Sequence, residues 1–238
     1  VGFSHVSFGY MPDHLLMKDV SIDVKPGQKA AIVGPTGAGK TTLINLLMRF
    51  YEINGGMITV DGVNTRDMTR QELRSRFGMV LQDTWLFEGT IADNLKYGRA
   101  SCTDEEMIEC AKAASAHSFI QTLPGGYDFM LSQGAENISQ GERQLLTIAR
   151  AMAADPEIMI LDEATSNVDT HTEQKIQNAM AKLLKGRTSF VIAHRLSTIK
   201  DADVILYMES GDIKESGSHD ELMALNGKYA QLYRSQFE

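Results

Sequence analysis

The residues of this sequence with the clearest chemistry lie at positions 34 to 41, which read Gly-Pro-Thr-Gly-Ala-Gly-Lys-Thr. They match the pattern G-x-x-x-x-G-K-[ST], with an apolar run before them and a helical pattern after them. The glycines would let the backbone wrap closely, so that its N–H groups point at phosphate oxygens. Lys40 would bring a positive charge to the β- and γ-phosphates, and the Thr41 hydroxyl would bind Mg²⁺. The segment predicts a nucleotide site, and the alternative is a glycine-rich structural turn.

A magnesium site needs a second anchor, and Asp162 is the candidate. It follows the apolar run Ile-Met-Ile-Leu, which is typical of a buried strand, and open parallel sheets bind ligands at the carboxyl ends of their strands. Asp162 would hold Mg²⁺ through a water, and Glu163 would polarise an attacking water as a general base. The plainer interpretations are a solvated carboxylate for Asp162 and an exposed turn residue for Glu163.

A second candidate anion site begins at Ser139. Ser139 and Glu142 have the reciprocal spacing of a capping box, just before an apolar helical pattern. With Gly141 in the first turn, free N–H groups and the helix dipole would favour an anion. A plain helix cap explains the same residues, so the spacing alone leaves the ligand open.

Alternating strands and helices must position these groups. Strands are predicted in "KAAIVG", "MITVDG", "FGMVLQ", "EIMILD" and "TSFVIAH", and a hairpin in "VILYMESGDIKESG". Helices are predicted after the phosphate loop and after capping boxes at Thr69–Glu72, Thr103–Glu106, Ser139–Glu142, Thr170–Glu173 and Ser218–Glu221. The pattern favours an α/β protein, with a largely parallel core that carries a helical subdomain. We expect one domain over residues 1–238, with the core at about 1–88 and 152–238 and the helical subdomain at about 89–151.

Composition narrows the function classes. The chain has 238 residues, of which 43% are hydrophobic and 23% charged, as in a globular protein. Its net charge of −8 disfavours a general nucleic-acid binder, which usually has a basic surface. No apolar run approaches the roughly 18 residues of a membrane span, and no signal peptide is evident. Cys102 and Cys110 lack metal-binding spacing and fit packing residues in a reducing compartment.

Together the motifs resemble the nucleotide-binding domain of an ATP-binding-cassette (ABC) transporter of the exporter type, over nearly the whole chain and in family order. By this resemblance Gln82 is the glutamine of the glutamine loop, His194 in "IAHRLST" is the switch histidine, and Tyr10 in "VSFGY" stacks on adenine. "SNVD", Ser166 to Asp169, matches the loop that crosses to the partner subunit. The positions that the resemblance implies for nucleotide contact are Tyr10, Gly34, Pro35, Thr36, Gly37, Ala38, Gly39, Lys40, Thr41, Thr42, Gln82, Ser139, Gln140, Gly141 and Glu142.

The resemblance also implies a fold and an activity. The fold is that of a P-loop NTPase, a RecA-like core with a mostly parallel sheet, an N-terminal antiparallel β subdomain and an inserted helical subdomain. The activity is hydrolysis of ATP with Mg²⁺. Catalytic roles fall to Lys40, Gln82, Glu163 and His194, and metal-binding roles to Thr41, Gln82 and Asp162.

A partner follows from the same resemblance, because two such domains pack head to tail with two nucleotides between them. The helix that starts at Ser139, in the signature "ISQGE", would close over the γ-phosphate of the ATP held by the opposite domain. A transmembrane domain fused upstream of Val1 would place this domain, soluble when isolated, at the cytoplasmic face of the plasma membrane. That transmembrane part would choose the transported substrate.

The segment Ile-Ser-Gln-Gly-Glu departs from the usual signature Leu-Ser-Gly-Gly-Gln, since Gln140 replaces the first glycine and Glu142 replaces the final glutamine. A side chain at 140 would hinder close approach of the backbone. A carboxylate at 142 would oppose an anion unless it folds back onto Ser139. We therefore expect one half of a heterodimeric exporter, whose partner supplies an intact signature. The alternative is a homodimer with two weakened sites.

Other function classes fit the sequence less well. A regulatory module that binds ATP without hydrolysing it would have no use for Glu163 and His194. A chromosome-maintenance or repair ATPase would carry a long coiled coil between the phosphate loop and the signature, and no heptads occur there. A small-molecule kinase would leave the signature and "SNVD" without a purpose. We therefore expect no nucleic-acid partner.

Overall fold

The computed structural model describes residues 1–11, 13–81, 84–162, 168–193 and 196–237 and, of residues 196, 197, 236 and 237, the backbone only. Gln82, Glu163 and His194, three of the predicted site residues, lie outside the described residues. The chain divides into two units. The first comprises Val1–Phe77, Ile160–Glu163 and Gly186–Glu238, and the second comprises Gly78–Met159 and Ala164–Lys185. The subdomain boundaries expected from the sequence stay a prediction.

Strands and helices alternate along the described residues. The strands are β1 (Gly2–Phe8), β2 (Met17–Asp23), β3 (Lys29–Val33), β4 (Gly55–Val60), β5 (Val63–Asn64), β6 (Phe77–Val80), β7 (Gly89–Thr90), β8 (Met130–Leu131), β9 (Ile158–Asp162), β10 (Thr188–Ile192), β11 (Val204–Glu209) and β12 (Asp212–Gly217). The α-helices are α1 (Lys40–Leu47), α2 (Arg70–Ser75), α3 (Ile91–Lys96), α4 (Asp104–Ala113), α5 (His117–Ile120), α6 (Gln140–Ala154), α7 (Thr170–Leu184), α8 (Leu196–Lys200), α9 (His219–Leu225) and α10 (Lys228–Phe237). Within the described ranges, no helix is long and apolar enough to cross a membrane.

The first unit contains an antiparallel sheet with the strand order β2-β1-β4-β5. Strand β1 has apolar side chains on one face, and Phe3, Val6 and Phe8 are all buried. Such a sheet can bury one face and leave the other to solvent. This is the N-terminal antiparallel β subdomain that the family resemblance implies.

The same unit contains a mostly parallel sheet, in the order β12-β11-β3-β10-β9. Strand β3 lies inside it and pairs in parallel with both neighbours, so that Ala31 faces Val191 on one side and Ile205 on the other. Strands buried on both faces must be apolar throughout, which explains the unbroken apolar runs in the sequence. Strand β12 runs antiparallel to its neighbour, β11, as the hairpin prediction required.

The second unit is built around α6, on which α3, α4 and α7 pack. The sequence predicts an apolar stripe of Leu145, Ile148, Ala149 and Met152 on this helix; the first three are buried and Met152 is half-buried. A short antiparallel ladder, β7 with β8, lies in the stretch that the sequence predicts to be helical. Two-residue strands leave no readable alternation, which is why the pattern missed them.

Helix starts follow the predicted capping boxes, with one exception. The boxes at Thr69, Thr103, Ser139 and Ser218 are each formed in both directions. The prediction of Thr170 as the cap of α7 is wrong. The cap is Asp169, whose carboxylate accepts the N–H of Thr172 at 3.0 Å, and Thr170 is the first helical residue. Both residue types can cap, and aspartate ranks above threonine at this position.

Candidate nucleotide-binding site

The phosphate loop begins after the buried strand β3 at Gly34, a position with no space for a side chain. The φ of Gly34 is 148°, and a Cβ there would lie 2.1 Å from the carbonyl oxygen of Met208. That carbonyl belongs to β11, the parallel neighbour of β3. The close approach of two sheet backbones therefore requires glycine at the first position of the loop.

The loop is anchored a second time by the turn between β11 and β12. The N–H of Gly211 donates to the carbonyl of Ala38 at 2.9 Å, and the N–H of Ala38 donates to the carbonyl of Pro35 at 3.1 Å. Ala38 is buried. Sequence reasoning did not give this turn a role in the site. The Ser-Gly pair that ends the predicted hairpin strand was the available signal.

Helix α1 begins directly after the loop and presents an open N-terminus. Its N-cap is Gly39, which has no side chain, and its first turn, all within the described residues, contains no acidic side chain. The first N–H groups of a helix have no partner inside the helix, and the helix dipole makes that end positive. Thr41 lies in this turn with an exposed side chain. The start of α1 is thus suited to bind phosphate.

The Lys40 side chain folds back over the loop. Its Nζ donates to the carbonyl of Gly34 at 2.7 Å and to that of Pro35 at 3.0 Å. Partial burial lowers the pKa of Lys40, while the negative charge of Asp162 acts in the opposite direction. The partners of the Lys40 Nζ are therefore backbone carbonyls, and phosphate oxygens could replace them.

Asp162 ends β9 inside the first unit, with a half-buried side chain. Its electrostatic effect on Lys40 indicates that the carboxylate and the phosphate loop are close. Among the described residues, no group of three or more histidine, cysteine, aspartate or glutamate side chains could hold a metal ion. Mg²⁺ typically takes one or two protein oxygens and completes its shell with waters and substrate phosphates. The Thr41 hydroxyl and the Asp162 carboxylate fit that donor set.

Tyr10 lies beside the loop with 53% of its surface exposed. Its hydroxyl and that of Thr42 in α1 are hydrogen-bonded at 2.9 Å. A half-exposed aromatic ring next to a phosphate site can stack on a nucleotide base. The structure therefore brings Tyr10, the phosphate loop, Lys40 and Asp162 together within one unit.

The signature segment lies in the second unit. The Ser139 Oγ accepts the N–H of Glu142 at 3.3 Å, and the Glu142 carboxylate accepts the N–H of Ser139 at 2.8 Å. Glu142 therefore folds back onto the helix start. The side chains of Ser139 and Gln140 are exposed. The glutamate thus serves as a cap, and the serine and glutamine face outward.

Gly141 is buried where α6 meets the start of α7. A Cβ at Gly141 would lie 2.4 Å from Cγ2 of Thr172 and 3.3 Å from Cγ1 of Val168. This glycine is therefore required for packing of the two helices, whatever else it does. Arg143, in the same first turn, donates from Nη1 to the carbonyls of Ala135 and Ile138 and so holds the segment that precedes the signature.

A family model described as "ABC transporter" matches residues 17–166 of this chain. A solved structure described as a bacterial Atm1-family ABC exporter with ATP bound matches with a TM-score of 0.91 and 41% sequence identity, covering 100% of this chain and 41% of that one.

Two curated relatives match almost the entire chain. A fatty acid ABC transporter ATP-binding/permease protein of Mycobacterium bovis is 57% identical over 99% of this chain and 37% of its own length. An ATP-dependent lipid A-core flippase of Desulfotalea psychrophila is 49% identical over 99% of this chain and 41% of its own length. This chain therefore spans about two fifths of the length of these relatives.

Proposed function

The chain belongs to the ABC transporter family as an ATP-binding domain of the exporter type, and we propose that it hydrolyses MgATP in a site that a second such domain completes. Binding and hydrolysis would drive pairing and separation of the two domains, and a transmembrane domain would use this movement to export a substrate. The observation that carries the proposal is the phosphate loop, which is hydrogen-bonded to the β11–β12 turn, leads into the uncapped start of α1 and has Lys40 folded across it.

Nucleotide binding follows from the chemistry of that loop. Backbone N–H groups and the N-terminus of α1 would bind the phosphate oxygens, and Lys40 would exchange its two carbonyl partners for the β- and γ-phosphates. The exposed ring of Tyr10 would stack on adenine. Thr41 and Asp162 would hold Mg²⁺, which neutralises charge on the transferred phosphoryl group when it is bound.

Hydrolysis needs a group that activates water, and we assign this role to Glu163 as general base. His194 and Gln82 would orient the γ-phosphate and the water. These three residues lie outside the described residues, so their roles rest on their positions in the sequence and on the family resemblance. Removal of a general base typically costs roughly 10²–10⁴-fold in rate.

Pairing follows from the position of the signature. Ser139 starts a helix whose first turn offers N–H donors and a positive dipole end, yet that helix belongs to the unit that does not contain the phosphate loop. We propose that it binds the γ-phosphate of an ATP held by a partner domain. The retracted Glu142 carboxylate supports this role, since a free carboxylate there would repel phosphate.

Two variants test binding and chemistry separately. Glu163→Gln should bind ATP like the wild type and lose roughly 10²–10⁴-fold in phosphate release. Lys40→Ala should weaken ATP binding itself, which equilibrium binding of a fluorescent ATP analogue would measure. Wild-type turnover in Glu163→Gln would refute the base. Tight ATP binding with no multiple turnover by the wild type would instead favour a regulatory module.

Pairing is tested by the dependence of turnover on concentration. Specific activity should rise with chain concentration, and Glu163→Gln should form an ATP-dependent dimer in size-exclusion chromatography while Lys40→Ala does not. Dimerisation of this chain with itself would support a homodimer, and pairing only with a similar, different chain would support a heterodimer. Full-speed hydrolysis that is independent of concentration, without pairing at any ATP level, would refute the proposal.

The exported substrate and the membrane belong to the whole protein. We propose that a transmembrane domain fused upstream of Val1 anchors this domain at the cytoplasmic face of the cell membrane. Support comes from the two relatives, of which one is an ATP-binding/permease protein and the other a flippase, and of which this chain covers about two fifths. A full-length protein in which six predicted spans precede Val1 would agree with this arrangement.

A further inference from the structure

A second tyrosine lies against the proposed adenine-stacking residue. The ring centroids of Tyr51 and Tyr10 are 5.1 Å apart, with an interplanar angle of 89°. Phe8 approaches Tyr10 in the same way, at 4.9 Å and 81°, and Tyr51 also contacts Phe8 at 5.8 Å. Edge-to-face pairs at these distances are the favourable arrangement for aromatic rings. Tyr10 is thus held by two perpendicular rings.

Hydrogen bonds to the backbone fix the place of Tyr51. Tyr51 follows α1, and Asn54 lies just beyond it in the same connection to β4. The N–H of Asn54 donates to the carbonyl of Ser7, and its side-chain oxygen accepts the N–H of Gly9, both at 2.9 Å. Asn54 therefore ties the segment that carries Tyr51 to the segment that carries Tyr10. The contact between the two tyrosines is built into the fold.

The exposure of the three rings separates their roles. Phe8 is 3% exposed and belongs to the core, whereas Tyr51 is 45% exposed and Tyr10 is 53% exposed. Besides its ring contacts, Tyr10 is fixed by the hydrogen bond between its hydroxyl and that of Thr42. Removal of the Tyr51 ring would leave Tyr10 with Phe8 and this one hydrogen bond, and so with more freedom. A surface ring that is free to turn loses entropy when a ligand orders it, which weakens binding.

We propose that Tyr51 is a positioning residue for base recognition: it holds the ring of Tyr10 in the orientation that stacks on adenine. This inference rests on the proposed function, because it presupposes that Tyr10 stacks on the base of ATP. Tyr51 acts through Tyr10, so its effect should concern the base and leave the binding of the phosphates unchanged. A merely structural residue would affect both alike.

The experiment compares two probes, ATP and inorganic tripolyphosphate, by equilibrium binding to the 238-residue chain. Tyr51→Leu should weaken ATP binding about two- to thirteenfold, the range of one aromatic pair, and leave tripolyphosphate binding unchanged. Tyr51→Phe keeps the ring and should restore ATP binding. In the Tyr10→Ala background, Tyr51→Leu should have no further effect on ATP.

The outcomes separate this inference from the function on which it rests. Equal losses of ATP and tripolyphosphate in Tyr51→Leu, or a loss that persists in the Tyr10→Ala background, would overturn the positioning role alone. A wild-type chain that binds ATP no better than tripolyphosphate would overturn base stacking by Tyr10, and the positioning role with it. The tripolyphosphate affinity also reports whether each variant keeps a folded phosphate loop.

Discussion

Substitution of Gly141 by alanine tests the packing of α6 on α7, and its cost can be worked out from the structure. The added Cβ would lie 2.4 Å from Cγ2 of Thr172 and 3.3 Å from Cγ1 of Val168. Carbon atoms in contact lie about 3.5–4.0 Å apart, so one neighbour must move by about 1 Å. Thr172 has little freedom to do so, because its N–H is held by the Asp169 cap at 3.0 Å.

Two opposing terms set the expected size of the effect. Overpacking of a well-packed site costs about 1–3 kcal/mol, and alanine gains up to about 1 kcal/mol over glycine inside a helix. The gain is smaller in the first turn, where Gly141 lies. We therefore expect Gly141→Ala to lower the free energy of unfolding by about 1–2 kcal/mol, which corresponds to about 5–30-fold in the ratio of folded to unfolded chain.

The assay is urea unfolding of the chain, with a lower midpoint and an unchanged slope as the sign of lost stability. The matched control is Thr172→Ser, which removes only the methyl group that clashes and keeps the N–H that Asp169 accepts. Thr172→Ser should recover at least half of the loss caused by Gly141→Ala. The packing argument would be refuted by a Gly141→Ala chain as stable as the wild type. Additive effects in the double variant, within about 0.5 kcal/mol, would refute it as well.

Three further substitutions probe the phosphate loop, a helix cap and a buried phenol. Gly34→Ala should abolish binding of a fluorescent ATP analogue, because its Cβ would lie 2.1 Å from the carbonyl oxygen of Met208. A Cβ at Gly37 would have no atom within 4 Å, so Gly37→Ala should cost only about 1–2 kcal/mol of backbone strain. Equal losses of analogue binding in the two variants would contradict the close approach at Gly34. Ser218→Ala should lower the free energy of unfolding by about 1 kcal/mol, because α9 loses the oxygen that accepts the Glu221 N–H; an unchanged urea midpoint would count against the cap. Burial raises the pKa of Tyr229 from 10.0 to about 12, so the unfolded chain loses this proton first as the pH rises. The stability that the protonated Tyr229 contributes is therefore present below pH 10.0 and lost as the pH rises to about 12. Tyr229→Phe should therefore lose less stability than the wild type over that interval, and parallel curves of urea midpoint against pH would disprove the assignment.

The sequence by itself determined the features that depend on neighbours along the chain. Capping boxes join residues three positions apart, so Thr69, Thr103, Ser139 and Ser218 could be identified as helix starts before any fold was known. The same holds for the apolar runs of the parallel strands and for the glycines of the phosphate loop. The choice of cap for α7 failed within this local range, because Asp169 and Thr170 are adjacent and both residue types can cap.

Only the tertiary structure decided which distant residues meet. The contacts of Gly34 with Met208, of Ala38 with Gly211 and of Tyr10 with Tyr51 join residues whose sequence separation carries no pattern. Each depends on strand order or on the exit direction of a loop, which sheet pairing and core packing select together. The sequence therefore marked the groups that could bind phosphate, and the packing of β3, β11 and α1 decided which other residues hold them in place.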